Sequence, residues 1–498
     1  MLFSSLVFLF TFLPITLLVY YLVPRKVKNV VLLIASLIFY AWGEPVYIFL
    51  MLISILFNYF CGMDIALKAG RKSQVRSLIF TIVVNLFILG FFKYYGFIVT
   101  NLNAILPFYI PYRKLELPIG ISFYTFQTLS YIIDVYRGNV DVQVNLIDFG
   151  TYVTMFPQLI AGPIVQYADV ERQLRERKES LTKFGYGAWF FVMGLAKKVL
   201  LANTIGSIYE NIAVMDGMSV VTAWLGCLAY TFQIYFDFSG YSDMAVGLGK
   251  MFGFEFMQNF NYPYISKSVT EFWRRWHITL GTWMKDYIFY PMSLSKKMNR
   301  FGKWAKKHMG NTIGRTLPIC FANIVIFFIV GIWHGAAWKF IAYGLYNGFI
   351  IAISNLLEPV YKKLLNKFHI NAASKGWTVW QIIRTFILVN IGWYFDMAES
   401  MRQAFQMMKW SVVGICASQF KSEAILSLGI EARDYVIIIA GCIIVFIVSV
   451  LKEKGIAIRE SIASKPLVIR WAFYYVLVAV ILIFGYIGAT QGFIYANF

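Results

Sequence analysis

Long apolar runs separated by short polar segments set the pattern of this chain. They lie at about 2–23, 29–42, 46–66, 78–100, 117–133, 147–166, 186–205, 218–250, 317–357, 378–395, 433–451 and 469–487. Such runs predict α-helices, because a segment in lipid must satisfy its own backbone polar groups and roughly 20 apolar residues span the hydrocarbon. Several runs are shorter than that, which predicts tilted, re-entrant or buried helices among them. The first run lacks a basic region before it and a small-residue cleavage site after it, so it is expected to be a retained helix. Segment 170–182 mixes both charges and is expected to be a surface helix at the cytoplasmic interface. No short-period repeat, no pair of similar halves and no Gly/Ser- or Pro-rich linker appears. One membrane domain over 1–498 is the expected organisation.

Composition sharpens this reading. Hydrophobic residues make up 59% of the chain and charged residues 14%, against roughly 45–50% and about 25% in ordinary globular domains. Mean hydropathy is +0.65. A soluble protein would have too little polar surface, and disorder would need low hydrophobicity. With 13 Pro and 5 Cys, collagen-like and disulfide-scaffold classes are excluded too. An all-α polytopic membrane protein remains. Its aromatic fraction, 18%, suits interfacial belts and packed intramembrane cores.

The net charge of +20, from 45 basic and 25 acidic residues, would suggest nucleic acid in a soluble protein. Here the bases lie in short segments between apolar runs, so the positive-inside rule accounts for most of them and nucleic acid is not an expected partner. Arg25, Lys26 and Lys28, then Lys68, Arg71, Lys72 and Arg76, mark cytoplasmic loops, whereas the turn Gly43-Glu44-Pro45 carries no base. Segment 296–315, with seven Lys or Arg and no acid, is expected to be a cytoplasmic loop, as is the one bearing Lys452, Lys454, Arg459, Lys465 and Arg470. Both termini are then expected outside a cell membrane whose lipids surround the protein. Cys61, Cys227, Cys320, Cys416 and Cys442 form no CxxC pair and read as unpaired thiols.

Ionisable groups within apolar runs are costly and become functional candidates. His334 stands in Gly331-Ile-Trp-His-Gly-Ala-Ala-Trp338, about 24 Å along a helix from Pro318 at 1.5 Å per residue. It is either a packed histidine bonded to a neighbouring helix or a reactive base. His277 stands in Glu271-Phe-Trp-Arg-Arg-Trp-His277. On a helix it shares a face with Trp273, and Arg274 and Arg275 beside it offer cations for a phosphate-bearing substrate. The alternative is an interfacial helix with a Trp/Arg belt. Asp237, Ser239, Gly240, Tyr241 and Asp243 lie inside run 218–250. They suggest a broken helix lining a cavity, with Asp237 able to orient a histidine, or else a structural hydrogen-bond network. Phe156-Pro-Gln-Leu-Ile-Ala-Gly-Pro163, which contains Gln158, interrupts another run. His308 and His369 read as solvated. No phosphate-binding Gly loop, metal-ligand spacing or GxSxG elbow appears.

These stretches, in this order and spread over about 115–345, resemble the membrane-bound O-acyltransferases, and most closely the bacterial branch that O-acetylates alginate. The resemblance rests on Phe156 to Pro163, Tyr235-Phe-Asp-Phe-Ser-Gly-Tyr-Ser-Asp-Met-Ala245, Phe272-Trp-Arg-Arg-Trp-His-Ile-Thr-Leu280 and Gly331 to Trp338. It implies a ring of tilted transmembrane helices around a central tunnel, with no bound cofactor and no metal. It implies that an acetyl group from acetyl-CoA is passed outward for O-acetylation of an extracellular polysaccharide, with an extracytoplasmic acetyltransferase or esterase-like protein as partner. His334 and His277 match the two histidines of that branch. His334 would take the proton of the acceptor hydroxyl, and His277 would hydrogen-bond the thioester oxygen or protonate the leaving thiolate. Asp237, Ser239, Tyr241, Trp333, Trp276, Arg274, Arg275 and Gln158 are the expected substrate contacts. Alternatives are D-alanyl transfer from a carrier protein to teichoic acid, a lipid acyltransferase, a transporter using the acids and histidines as a relay, and a scaffold of the export machinery.

Overall fold

The computed structural model describes residues 1–113, 115–160, 162–213, 219–413, 428, 430–486 and 493. Cys416, Ala161 and the stretch from 487 onward, apart from Phe493, lie outside them. Helices account for the secondary structure, and no strand occurs among the described residues. Among the described residues, seven helices are long and apolar enough to cross a membrane: Ile48–Leu67, Arg71–Ile105, Leu181–Ala213, Lys296–His334, Trp338–Lys367, Ala432–Glu453 and Leu467–Phe484. The chain is an all-α polytopic membrane protein.

Most apolar runs become helices close to their expected ends, such as Lys28–Ala41 and Lys375–Met397. Two runs divide. Run 147–166 becomes the short helices Leu146–Thr154 and Phe156–Leu159, followed by irregular backbone. There Gly162 has φ +137°, and a Cβ on it would stand 3.0 Å from that of Ala245, so this position needs glycine. Run 317–357 divides after His334, where the chain turns back through 335–337 into Trp338–Lys367.

Two expectations are corrected. Run 218–250 is an uninterrupted helix, Val220–Met251, and its residues from Gln233 to Ser242 are all buried. Thr231, Asp237 and Asp243 find partners on neighbouring elements, and Gly240 allows close approach instead of a break. A Cβ on Gly194 would lie 2.4 Å from the Gly240 carbonyl, and one on Gly187 would lie 2.5 Å from that of Gly247. Small residues thus bring helix Leu181–Ala196 against this central helix backbone to backbone. A π-turn, Lys197–Ala202, follows. It places Lys197 Nζ 2.6 Å from Asp243 and Lys198 Nζ 2.6 Å from Asp237. Segment 296–315 is likewise no loop. Gly310, at φ +81°, reverses the chain, and a Cβ on Gly314 would meet the Lys306 backbone at 2.4 Å. The bases therefore lie on a helical hairpin.

The core surrounds helix Ile121–Arg137, buried from Ile121 to Ile132, and the central helix. Helices Ala432–Glu453 and Leu467–Phe484 lie at the periphery, each with 6% of its most apolar window buried.

Candidate active site

His334 ends its helix and is 2% exposed. The hydrogen-bonding pattern stops there because Gly335 is extended, at φ 177°. A Cβ on Gly335 would strike the Phe340 ring at 2.2 Å, and one on Gly331 the Phe340 carbonyl at 2.5 Å. The small residues around His334 thus let the returning chain close over the imidazole. Its ring lies 5.2 Å from that of Trp333 and 5.1 Å from that of Tyr343. Asp396, on helix Lys375–Met397, places Oδ1 3.9 Å from His334 Nδ1, while its Oδ2 accepts from the Tyr230 hydroxyl at 2.8 Å.

His277 is also 2% exposed. It does not share a helix face with Trp273. Helix Val269–Arg275 stops before it, and His277 adopts φ 45°, ψ 55° ahead of helix Ile278–Met284. This left-handed conformation is uncommon for a residue with a Cβ, and it turns the imidazole inward. Nδ1 lies 3.0 Å from Asn259 Oδ1, and the ring packs edge-on to Phe238 at 4.7 Å. The Trp333 ring is 5.8 Å away. One tryptophan thus touches both histidines, which are 57 positions apart in the sequence. Behind Trp333, Phe126 stacks at 6.1 Å and in turn stacks on Trp283 at 4.2 Å.

The remaining expected contacts divide. Gln158 is fully buried; its Nε2 donates to the Tyr152 carbonyl at 2.6 Å, and its Oε1 has no hydrogen-bond partner among the described residues. The same holds for Ser239 Oγ, Tyr241 OH, His277 Nε2 and Trp333 Nε1. Tyr241 stacks on Phe3 at 4.4 Å. Asp237 is ion-paired with Lys198, and the carboxylate beside His334 is that of Asp396. Trp276 packs among Phe272 and Trp393. Arg275 is held by Glu271 and Glu453 at 2.8 and 2.9 Å, which occupies its guanidinium, whereas Arg274 is exposed. His308 and His369 are exposed. Cys61, Cys227, Cys320 and Cys442 are free thiols.

Three residues escaped the sequence reading. Asp396 falls one position beyond run 378–395, where it looks like the polar end of a helix. Lys93 lies within run 78–100, and a charge there was signal enough. Its Nζ donates to the Trp333 carbonyl and lies 3.5 Å from Ser122 Oγ, while Tyr94 donates to the Ile332 carbonyl at 2.5 Å. Together they satisfy carbonyls that the end of the His334 helix leaves without intrahelical partners. Asn259 had no signal, being one polar residue in an irregular segment.

A helical membrane protein with two buried imidazoles against one tryptophan, and a carboxylate beside one of them, is equipped for proton-coupled group transfer. Comparison with known proteins gives the family. The model of the membrane-bound O-acyltransferases, MBOAT, matches residues 34–397, and the chain belongs to that family. It is a membrane acyltransferase. It is 42% identical to a probable alginate O-acetylase, AlgI, of Azotobacter vinelandii, over 82% of this chain and 77% of that protein. A peptidoglycan O-acetyltransferase of Helicobacter pylori is 32% identical over 83% of this chain and 80% of its own length. A teichoic acid D-alanyltransferase of Bacillus subtilis is 29% identical over 55% of this chain and 67% of that protein.

Proposed function

We propose that this protein carries an acetyl group from a cytoplasmic thioester, acetyl-CoA, through a tunnel in a single membrane domain for O-acetylation of an extracellular polysaccharide. The observation that carries this reading is the meeting of His334 and His277 on Trp333, away from solvent, in a chain similar to O-acetylases over four-fifths of its length. His334 takes the proton of the acceptor hydroxyl as its oxygen attacks the thioester carbon. The new C–O bond forms, the C–S bond breaks, and the thiolate leaves with the electron pair and regains a proton from the imidazolium. Asp396 orients the His334 ring and balances its charge while it holds that proton. Gln158 Oε1, Ser239 Oγ, Tyr241 OH and Trp333 Nε1 are the buried polar groups that substrates would satisfy. Arg274 and the basic hairpin remain for the donor's phosphates at the cytoplasmic side; Arg275 is already engaged. The protein sits in the cytoplasmic membrane with both termini outside and hands the acetyl group to an extracytoplasmic acetyltransferase-like partner.

The test is release of CoA thiol from acetyl-CoA by the reconstituted protein with its partner, beside His334→Ala. Loss of a general base costs about 10²- to 10⁴-fold in rate, so release is expected to fall by that amount. Near-normal release by the variant would remove His334 from the reaction. No release by either protein, with activity restored by an acyl-carrier donor, would replace acetyl-CoA with a carrier-bound acyl group.

A further inference from the structure

We infer that Asn259 is a positioning residue that fixes the tautomer of His277, so that His277 presents a bare Nε2 to the reaction. The inference rests on the reading of this centre as the acyl-transfer site. It begins with two backbone groups. The carbonyl of Gly162 can only accept, and it lies 3.2 Å from Asn259 Nδ2; the N–H of Thr279 can only donate, and it lies 3.3 Å from Asn259 Oδ1. Turning the amide over would set donor against donor and acceptor against acceptor, so the orientation of Asn259 is decided without reference to the histidine.

The side-chain contacts agree. Asn259 Nδ2 donates to Ser242 Oγ at 3.1 Å. The Thr279 hydroxyl accepts from the Ile164 N–H at 2.9 Å, and its own hydrogen points to Asn259 Oδ1 at 2.9 Å. Asn259 itself is 1% exposed and His277 2%. With Oδ1 an acceptor, His277 Nδ1, 3.0 Å away, must donate. A neutral imidazole carries one N–H, so Nε2 has a lone pair and no hydrogen. That nitrogen is buried and has no partner among the described residues.

This changes the chemistry open to His277. In its resting form it accepts a hydrogen bond from an O–H, N–H or S–H group. It cannot donate to the thioester oxygen, nor protonate a thiolate, until it has itself taken up a proton. The proton balance of the transfer is unaffected, because His334 both receives and returns the hydroxyl proton. The left-handed backbone at His277 belongs to the same device, since the residue is held there by its neighbours. Backbone pairing on both sides of Asn259 supplies that hold: Ile278 N–H to the Asn259 carbonyl and Asn261 N–H to that of Arg275, both at 2.9 Å. Asn259 joins the central helix, the Gly162 segment and the Thr279 helix at one amide.

The experiment is the ¹⁵N spectrum of histidine-labelled protein in lipid nanodiscs, with the His277 resonances identified by their loss in His277→Gln. The wild type is expected to show His277 with a protonated Nδ1 and an unprotonated Nε2. A protonated Nε2 beside an unprotonated Nδ1 would overturn the inference without any variant of Asn259. Asn259→Leu removes the acceptor and is expected to shift His277 toward the Nε2–H tautomer. Its kcat should fall at least about tenfold while KM for acetyl-CoA stays within about twofold, as for a misplaced catalytic group. Asn259→Asp keeps an acceptor at Oδ1 but gives up the Nδ2 donor to the Gly162 carbonyl, so it should keep His277 Nδ1 protonated while restoring only part of the kcat lost in the leucine variant. An unchanged tautomer in the leucine variant would also overturn the inference. The spectrum needs no substrate. Failure of the acetyl-CoA reading, seen as full activity in His334→Ala, therefore stays distinct from failure of the Asn259 assignment.

Discussion

The central helix Val220–Met251 and the peripheral helix Ala432–Glu453 look alike as apolar stretches, but they live in different solvents. The peripheral helix has the highest hydropathy of the seven spanning candidates, 2.7, and among its residues only Ser449 is buried. The central helix is not among those candidates, yet its residues from Gln233 to Ser242 are all buried, with Gln, Asp, Ser and Tyr among them. High hydropathy marks the helix that faces lipid. Where protein replaces lipid as the surroundings, polar side chains become affordable if neighbours satisfy them. Buried polar groups are carried by the less apolar central helix, with Asp237, Ser239 and Tyr241, and by Lys375–Met397, with Asp396, whereas His334 and Lys93 are buried on two of the spanning candidates.

Substitutions at the two places should differ accordingly. The largest effect belongs to the centre: His334→Ala should lower transfer by about 10²- to 10⁴-fold with little change in thermal stability. A transfer rate within twofold of wild type would break the contrast at its main point. Next is the buried ion pair of Lys198 and Asp237, 4% and 2% exposed. Removing one partner of such a pair costs about 3–5 kcal/mol, so Lys198→Met should unfold far more readily in detergent. Lys198→Leu with Asp237→Leu should recover much of that loss, since no lone charge remains; absence of recovery would assign Asp237 a further role.

Smaller effects are expected from residues that hold the histidines in place. Lys93→Met removes the donor to the Trp333 carbonyl, and Asp396→Asn removes the charge beside His334. Each should lower kcat by up to about a hundredfold, the scale of a displaced reacting group, and steady-state kinetics should show KM nearly unchanged. An equal rise in KM would point to donor binding instead. At the periphery, Ile443, 52% exposed, should tolerate alanine with a change within about 0.5 kcal/mol. A larger shift in the unfolding midpoint in nanodiscs would mean that this face packs against something other than lipid.

Much of this centre was legible in the sequence, for reasons that vary by residue. His334 was conspicuous because a histidine among Gly, Ala and Trp inside an apolar run has no cheap place in lipid. His277 was visible through the Trp-Arg-Arg-Trp-His pattern, but its backbone was not. A helix through it was the natural expectation, and the left-handed turn depends on Asn259 and the pairing beyond Arg275. Asp237 was visible as an intramembrane acid, yet its partner, Lys198, reaches it only through a π-turn that no periodicity announces. The basic segment 296–315 looked like a loop because its charges hide a helical hairpin that reverses at Gly310 and buries few apolar residues, Met298 and Ala305 among them.

By itself the sequence determined that the chain lives in a membrane, that it is helical, and that two histidines and a set of polar residues sit where only function or close packing keeps them. Hydropathy and backbone satisfaction are local requirements, so they can be read segment by segment. Tertiary structure alone decided that Asp396 stands beside His334, that Lys93 holds the carbonyl next to it, that Arg275 is committed to Glu453, and that Asn259 faces His277. Those pairings join residues 18 to 240 positions apart. They are set by how segments distant in the chain pack against one another, which a linear pattern does not encode.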